Sequence, residues 1–178
     1  MSTTLSNLLS QFDRHPVSIP LDELVAELTE SNLCLDDVQE FVCFSEEAYQ
    51  RHLMHVGPGY QALILCWRSG QRSPIHDHRG SACGVRVLTG VLSETVFERN
   101  SGGLIFPTRT SELGEGDVCG SFDNDIHQVS NLQPAGQDLV TLHIYSPPLL
   151  AMGTYSLTDD RVGEYVPPVH EFTHGAGI

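Results

Sequence analysis

The sequence contains no lysine: all nine basic residues are arginine, set against 23 acidic ones. Without a lysine amine, Schiff-base and pyridoxal-phosphate catalysis are excluded, and so is a P-loop with its phosphate-binding Lys. Positive charge is scarce as a whole. The formal net charge is −14 and the pI about 4.8, so no nucleic acid and no membrane partner is expected: neither polyanion nor anionic lipid would be attracted. No apolar run approaches the ~18 residues of a spanning helix. The polar stretch 2–14 lacks a basic start before an apolar core, so no signal peptide is expected. The five cysteines, Cys34, Cys43, Cys66, Cys83 and Cys119, are odd in number and show no CxxC spacing. This argues against a disulfide framework and a structural zinc site. A GxGxxG dinucleotide fingerprint is also missing. These absences together predict a cytoplasmic protein with reduced thiols.

What is present fits one domain over residues 1–178, long enough to bury about 70% of its unfolded surface. With 16 Gly and 10 Pro the chain is rich in turns. Residues 1–57 read as a helical cap. Leu5, Leu8, Leu9 and Phe12 recur at helical spacing, and Leu21, Leu24, Val25 and Leu28 do so again after Ser18 and Pro20. Stretches 35–42 and 45–52 read as two further short helices, the second with Ser45 as N-cap and Glu46 and Glu47 in its first turn. After Gly57-Pro58-Gly59 the period shortens to about two. Strands are predicted at 61–67, 83–88, 91–98, 118–121 and 139–146, so residues 58–178 read as a β-sandwich or small barrel.

The sharpest feature is Ile75-His76-Asp77-His78. Two histidines two positions apart on extended chain project to one side and can reach a common point. Gly70, five residues, His76-X-His78, four residues, Cys83, six residues and Gly90 resemble the first motif of the cupins, double-stranded β-barrels of jelly-roll type. That motif usually carries Glu where Cys83 stands. A second motif is recognisable at Gly116, His127 and Asn131, with Phe122 and Asn124 replacing its usual Pro and Gly. The fold class expected is therefore mainly β, a cupin barrel with short N-terminal helices. His76, His78 and His127 become the candidate metal ligands, a neutral set with open positions.

Tyr49-Gln50-Arg51, the run from Leu63 to Trp67, the run from Ser73 to His78 and His143-Ile144-Tyr145-Ser146-Pro147-Pro148 resemble the cysteine dioxygenases in type, order and spacing. These cupins add both atoms of O2 to a thiol. The resemblance implies Fe(II) on the three histidines, with L-cysteine bound through thiolate and amine and oxidised to the sulfinate. It implies Arg51 as the anchor for the substrate carboxylate, with Tyr49 adding a hydroxyl contact. It also implies that Tyr145 lies near the reacting atoms, oriented by His143. Thr141 stands where the family has Ser and keeps a hydroxyl in a relay Thr141–His143–Tyr145. Cys83 matches the position that in animal members becomes linked to the Tyr ring as a thioether. The strand alternation agrees with this placement: Val140, Leu142 and Ile144 point one way, and Thr141, His143 and Tyr145 the other. His15, His52, His55, His170 and His174 are expected to have no metal role, and the other four cysteines to pack in cores or against helices.

Other readings remain open at this level. Arg51 could be a helix-surface ion-pair partner of Glu46 or Glu47. The substrate could be another small thiol acid, 3-mercaptopropionate or mercaptosuccinate, the latter recruiting Arg79 or Arg161. The protein could also be a non-catalytic metal-binding cupin or a zinc site that activates water. Oligomeric state is not readable.

Overall fold

The computed structural model describes residues 2–122 and 125–171. The expected second-motif residue Asn124 and His174 lie outside them. Helix α1 (Thr3–Phe12) starts where the Ser2 side chain accepts from the Leu5 N–H, and it buries Leu5, Leu8, Leu9 and Phe12. Helix α2 (Leu21–Glu30) carries Asp22 and Glu23 in its first turn, where carboxylates meet the positive helix end, and it buries Leu24 and Leu28. A 3-10 helix, Leu35–Phe41, buries Val38 and Phe41.

In chain order the strands are β1 (Gln50–Val56), β2 (Gln61–Trp67), β3 (Ile75–His76), β4 (Ala82–Thr89), β5 (Leu92–Arg99), β6 (Ile105–Leu113), β7 (Val118–Ser121), β8 (Ile126–Ser130), β9 (Leu139–Ser146), β10 (Met152–Tyr155), β11 (Gly163–Tyr165) and β12 (His170–Glu171). They form two six-stranded sheets, ordered β12-β1-β2-β9-β4-β7 and β11-β10-β3-β8-β5-β6. Pairing is antiparallel except between β1 and β12. This is the double-stranded β-barrel expected from the sequence.

Alternation along β2 and β9 separates two cores. Ala62, Ile64, Cys66, Val140, Leu142 and Ile144 pack with the helical Leu5, Leu9, Leu24 and Leu28. Leu63, Leu65, Trp67 and Tyr145 face the other way and meet Leu92 and Val129 of the second sheet. The helices therefore cover the outside of the first sheet, and the barrel interior lies on its other face. Helix α2 can approach closely because β4 and β7 pair Gly84 with Gly120 beneath it. A Cβ at either glycine would collide with the Leu24 or Val25 side chain. Arg86 then fastens the helical layer, donating to the carbonyls of Leu28, Leu33 and Gly116.

Two expectations need correction. Residues 45–52 are not a helix. The chain bends at 46–48 and enters β1 at Gln50, so the first barrel strand lies inside the region 1–57 read as helical cap. The cause is tertiary: β1 pairs along β2 with Arg51 opposite Leu65, and this pairing overrides good local helix formers. Cys34 and Cys43 are exposed rather than packed, whereas Cys66 is buried and Cys119 half-buried. Strand β6 was not expected because only Ile105 of its residues is buried, leaving no apolar alternation to read.

Because Leu24 is fully buried over the glycine pair, Leu24→Ala should cost about 2–5 kcal/mol of stability. Urea denaturation checks this, and the metal content of the folded variant should stay at the wild-type level.

Candidate metal centre

Register places two of the histidines. His76 of β3 is the direct cross-strand partner of His127 on β8, and His78 follows in the loop after β3. All three are buried, and one ring nitrogen of each lies within 4.8 Å of those of the other two. Each Nδ1 is engaged on the far side. His76 Nδ1 donates to the Pro74 carbonyl at 3.0 Å, His78 Nδ1 lies 3.3 Å from Ser121 Oγ, and His127 Nδ1 donates to Glu94 at 2.7 Å. The Nε2 atoms of His78 and His127 face each other at 3.2 Å, near the ~3 Å between two nitrogens bound side by side at about 2.1 Å. Two lone pairs converge well on a cation and poorly on one another, so this donor set fits a divalent transition metal.

Glu94 was not singled out from the sequence. It shares the inward register of β5 with Leu92, and its carboxyl is held below the usual range by the hydrogen bond from His127. An acid on an otherwise inward-facing strand register was the available signal. Asp77, between the paired histidines, accepts from Gly153 N–H at 2.9 Å and from the Tyr155 hydroxyl, tying the HxH loop to β10. Among the described residues, His15, His52, His55 and His170 take no part in such a cluster.

The facing wall comes from the first sheet. Arg51 on β1 is 3% exposed, so it is no surface ion-pair partner, and Glu46 pairs instead with Arg68 at 3.3 Å. Arg51 Nη1 donates to the Tyr145 hydroxyl at 3.4 Å, while its Nε and Nη2 are buried without a partner. Tyr145 lies 3.3 Å from His143 Nδ1, and His143 Nε2 lies 3.0 Å from Thr141 Oγ1. Cys83 on β4 is the direct cross-strand partner of Tyr145, with its sulfur 4.0 Å from His143 Nδ1. Burial pushes both the Cys83 thiol and the Tyr145 phenol above their ordinary ranges. Tyr49 stacks on Trp67 with ring centroids 4.1 Å apart. The structure thus brings Arg51, Tyr49, Tyr145 and His143 to one narrow cleft with the histidine cluster, alongside Trp67, Leu65 and Val129. Thr141 and Cys83 stand behind its wall.

A barrel of two facing sheets with a buried three-histidine cluster between them defines the cupin class of β-barrel proteins. An uncharacterized conserved protein with a double-stranded β-helix domain from Klebsiella pneumoniae has this fold, with a TM-score of 0.52 and 17% identity over 67% of this chain and 94% of that one. Within the class, the model of the cysteine dioxygenase type I family matches residues 2–158, and the chain belongs to that family. It is 35% identical to cysteine dioxygenase type 1 of Danio rerio over 136 residues, 72% of this chain and 65% of that protein. It is 30% identical to the Bos taurus protein of the same name over 173 residues, 94% of this chain and 82% of that protein. The match to the fish protein therefore spans slightly less than two thirds of its length. Among the described residues, no helix is long and apolar enough to cross a membrane.

Burial, reinforced by neighbouring positive charge, holds His76, His78 and His143 well below the ordinary histidine value of 6.5. Once unfolded they bind protons below that value, whereas the folded chain keeps them neutral. Stability of the metal-free protein should therefore be complete above pH 6.5 and fall as the pH drops beneath it, more steeply than one group would produce. Thermal melts of chelator-treated protein measure this; a melting temperature that is flat or rises on acidification would contradict it.

Proposed function

We propose that the protein is a non-haem iron thiol dioxygenase that converts L-cysteine and O2 to cysteine sulfinate. One observation carries the reading beyond family membership: a buried guanidinium with two unpartnered nitrogens, at Arg51, opens on the same cleft as the three-histidine cluster. A buried cation with free donors is complete only when an anion joins it, and a carboxylate matches its planar fork. In a chain of net charge −14, such a site draws a small acid inward.

Iron(II) held by His76, His78 and His127 would supply thiol activation and O2 reduction. In the overall reaction both oxygen atoms end on sulfur, which gives up the four electrons that O2 takes, so no external reductant is needed. The protein's own part is positional. Arg51 binds the carboxylate, and Tyr49 flanks it with its ring held against Trp67. Leu65 and Val129 keep the cleft apolar and exclude bulk water. Tyr145, held between Arg51 and His143, presents a hydroxyl to the substrate, and Thr141 supports His143 from behind. A free thiol substrate also suits a reducing compartment, the cytoplasm.

A second carboxylate, as in mercaptosuccinate, would require another cation. Arg79 pairs with Glu164 at 2.5 Å, and Arg161 is exposed and lies 3.7 Å from Asp159. Neither lines the cleft, which favours a monocarboxylic thiol.

Protein loaded anaerobically with Fe(II) and then given L-cysteine and O2 should yield cysteine sulfinate by mass. A panel including 3-mercaptopropionate should be turned over less well. Zinc as the bound metal, with no thiol-dependent O2 uptake, would reject the proposal. Arg51→Ala should raise KM for cysteine by about two orders of magnitude with iron content unchanged, the cost of stranding a buried charge partner. We also infer that Cys83 Sγ and the Tyr145 ring can join as a thioether, since the two are buried cross-strand partners. A C–S bond replaces one S–H and one ring C–H, while O2 takes the two hydrogens and two electrons as hydrogen peroxide. Intact-mass measurement after turnover should find two hydrogens missing; an unchanged mass would discard the cross-link.

A further inference from the structure

Trp67 is the single tryptophan of the chain, and its indole N–H donates to Thr141 Oγ1 at 3.2 Å. Strand register brings this about: Leu65 is the direct partner of Thr141, so Trp67 is its diagonal neighbour on the same inward face. The contact extends the buried polar series to five groups, Trp67, Thr141, His143, Tyr145 and Arg51. Both end groups, indole and guanidinium, have protons to give and no lone pair to receive one.

We propose that Trp67 is a positioning residue that fixes the direction of this relay, so that His143 is held as the Nδ1–H tautomer and Tyr145 directs its own hydroxyl proton into the cleft. The inference deepens the dioxygenase reading and concerns the same site. Thr141 Oγ1 has two polar neighbours, the Trp67 N–H and His143 Nε2. The indole cannot accept, so the threonine proton has one destination, His143 Nε2. His143 is buried beside Arg51 and neutral, so its one proton sits on Nδ1 and is given to the Tyr145 oxygen. That oxygen also accepts from Arg51. Cys83 Sγ, at 4.0 Å from Nδ1, is too distant to compete with a 3.3 Å bond. With the Tyr145 oxygen accepting from both His143 and Arg51, and the Cys83 thiol beside it only a weak sulfur acceptor, the tyrosine proton is left for whatever occupies the cleft. In the reverse direction the Thr141 hydroxyl proton would have to point at the Trp67 N–H, donor against donor.

The test is 15N NMR of the full chain labelled in its histidine rings and loaded with Zn(II), a diamagnetic cation, with His143 assigned through its loss in His143→Gln. Wild type should show a protonated Nδ1 and a bare Nε2. Trp67→Phe keeps a ring against Tyr49 but has no N–H, so Thr141 can turn its proton toward position 67 and accept from His143. The two nitrogens should then share the proton. Replacing the only tryptophan with benzothienylalanine, which puts sulfur in place of the N–H in a ring of nearly the same shape, should do the same if the Phe variant fails to fold. With Fe(II) and cysteine, kcat should fall by about tenfold while KM, set by Arg51, stays within about twofold. A wild-type proton on Nε2, or a His143 pattern unmoved by loss of the indole donor, would overturn the inference. The nitrogen spectrum needs no turnover. An inactive wild type with the expected tautomer therefore counts against the thiol chemistry alone.

Discussion

Three imidazoles packed into a dry interior can converge on one point only if each has its outward nitrogen occupied and its inward one free. The supports for that condition reach through the whole barrel. The Pro74 carbonyl, Ser121 and Glu94 come from the approach to β3, from β7 and from β5, and each engages a different Nδ1. Only one of the three supports carries a formal charge, so His127 is the ring with the most electron-rich environment. The two-sheet architecture is what allows supports from such distant segments to stand on the outside of one small cluster.

The opposite wall obeys a related constraint. A strand whose side chains alternate must satisfy both of its faces, and β9 does so by covering one with helices and turning the other toward the cleft. The helical layer is therefore part of the site's support although it touches none of it: Val140, Leu142 and Ile144 could not face solvent on a strand that also carries Thr141, His143 and Tyr145 inward. Gly84 and Gly120 let α2 come close enough to make that cover. The remaining polarity of the wall is resolved by hydrogen-bond direction, with donors at both ends and Arg51 keeping two nitrogens in reserve.

Much of this was legible in residue order because it follows from short periods. The stripes of α1 and α2 and strands β2, β7 and β9 each lie within one element, and His76 and His78 are only two positions apart, so spacing alone suggests which side chains share a side. Arg51 was harder to place. The run before it contains good helix formers after a serine, and local preference gives no hint that β2 will claim it for a sheet. Glu94 and Trp67 were harder still: their partners lie 33 and 74 residues away, and no local pattern connects them.

Residue types and their order were enough to exclude lysine chemistry and polyanion binding, to propose a mainly β barrel behind helices, and to mark three histidines, one arginine and one tyrosine as a set. The first two need only composition and period, whereas the set of five rests on the motifs together with the family resemblance they carry. Which of these groups meet, at what distance, and which nitrogen of each imidazole is spoken for came from folding alone. Hydrogen-bond direction depends on every neighbour of an atom at once, and those neighbours are gathered from separate strands by sheet register.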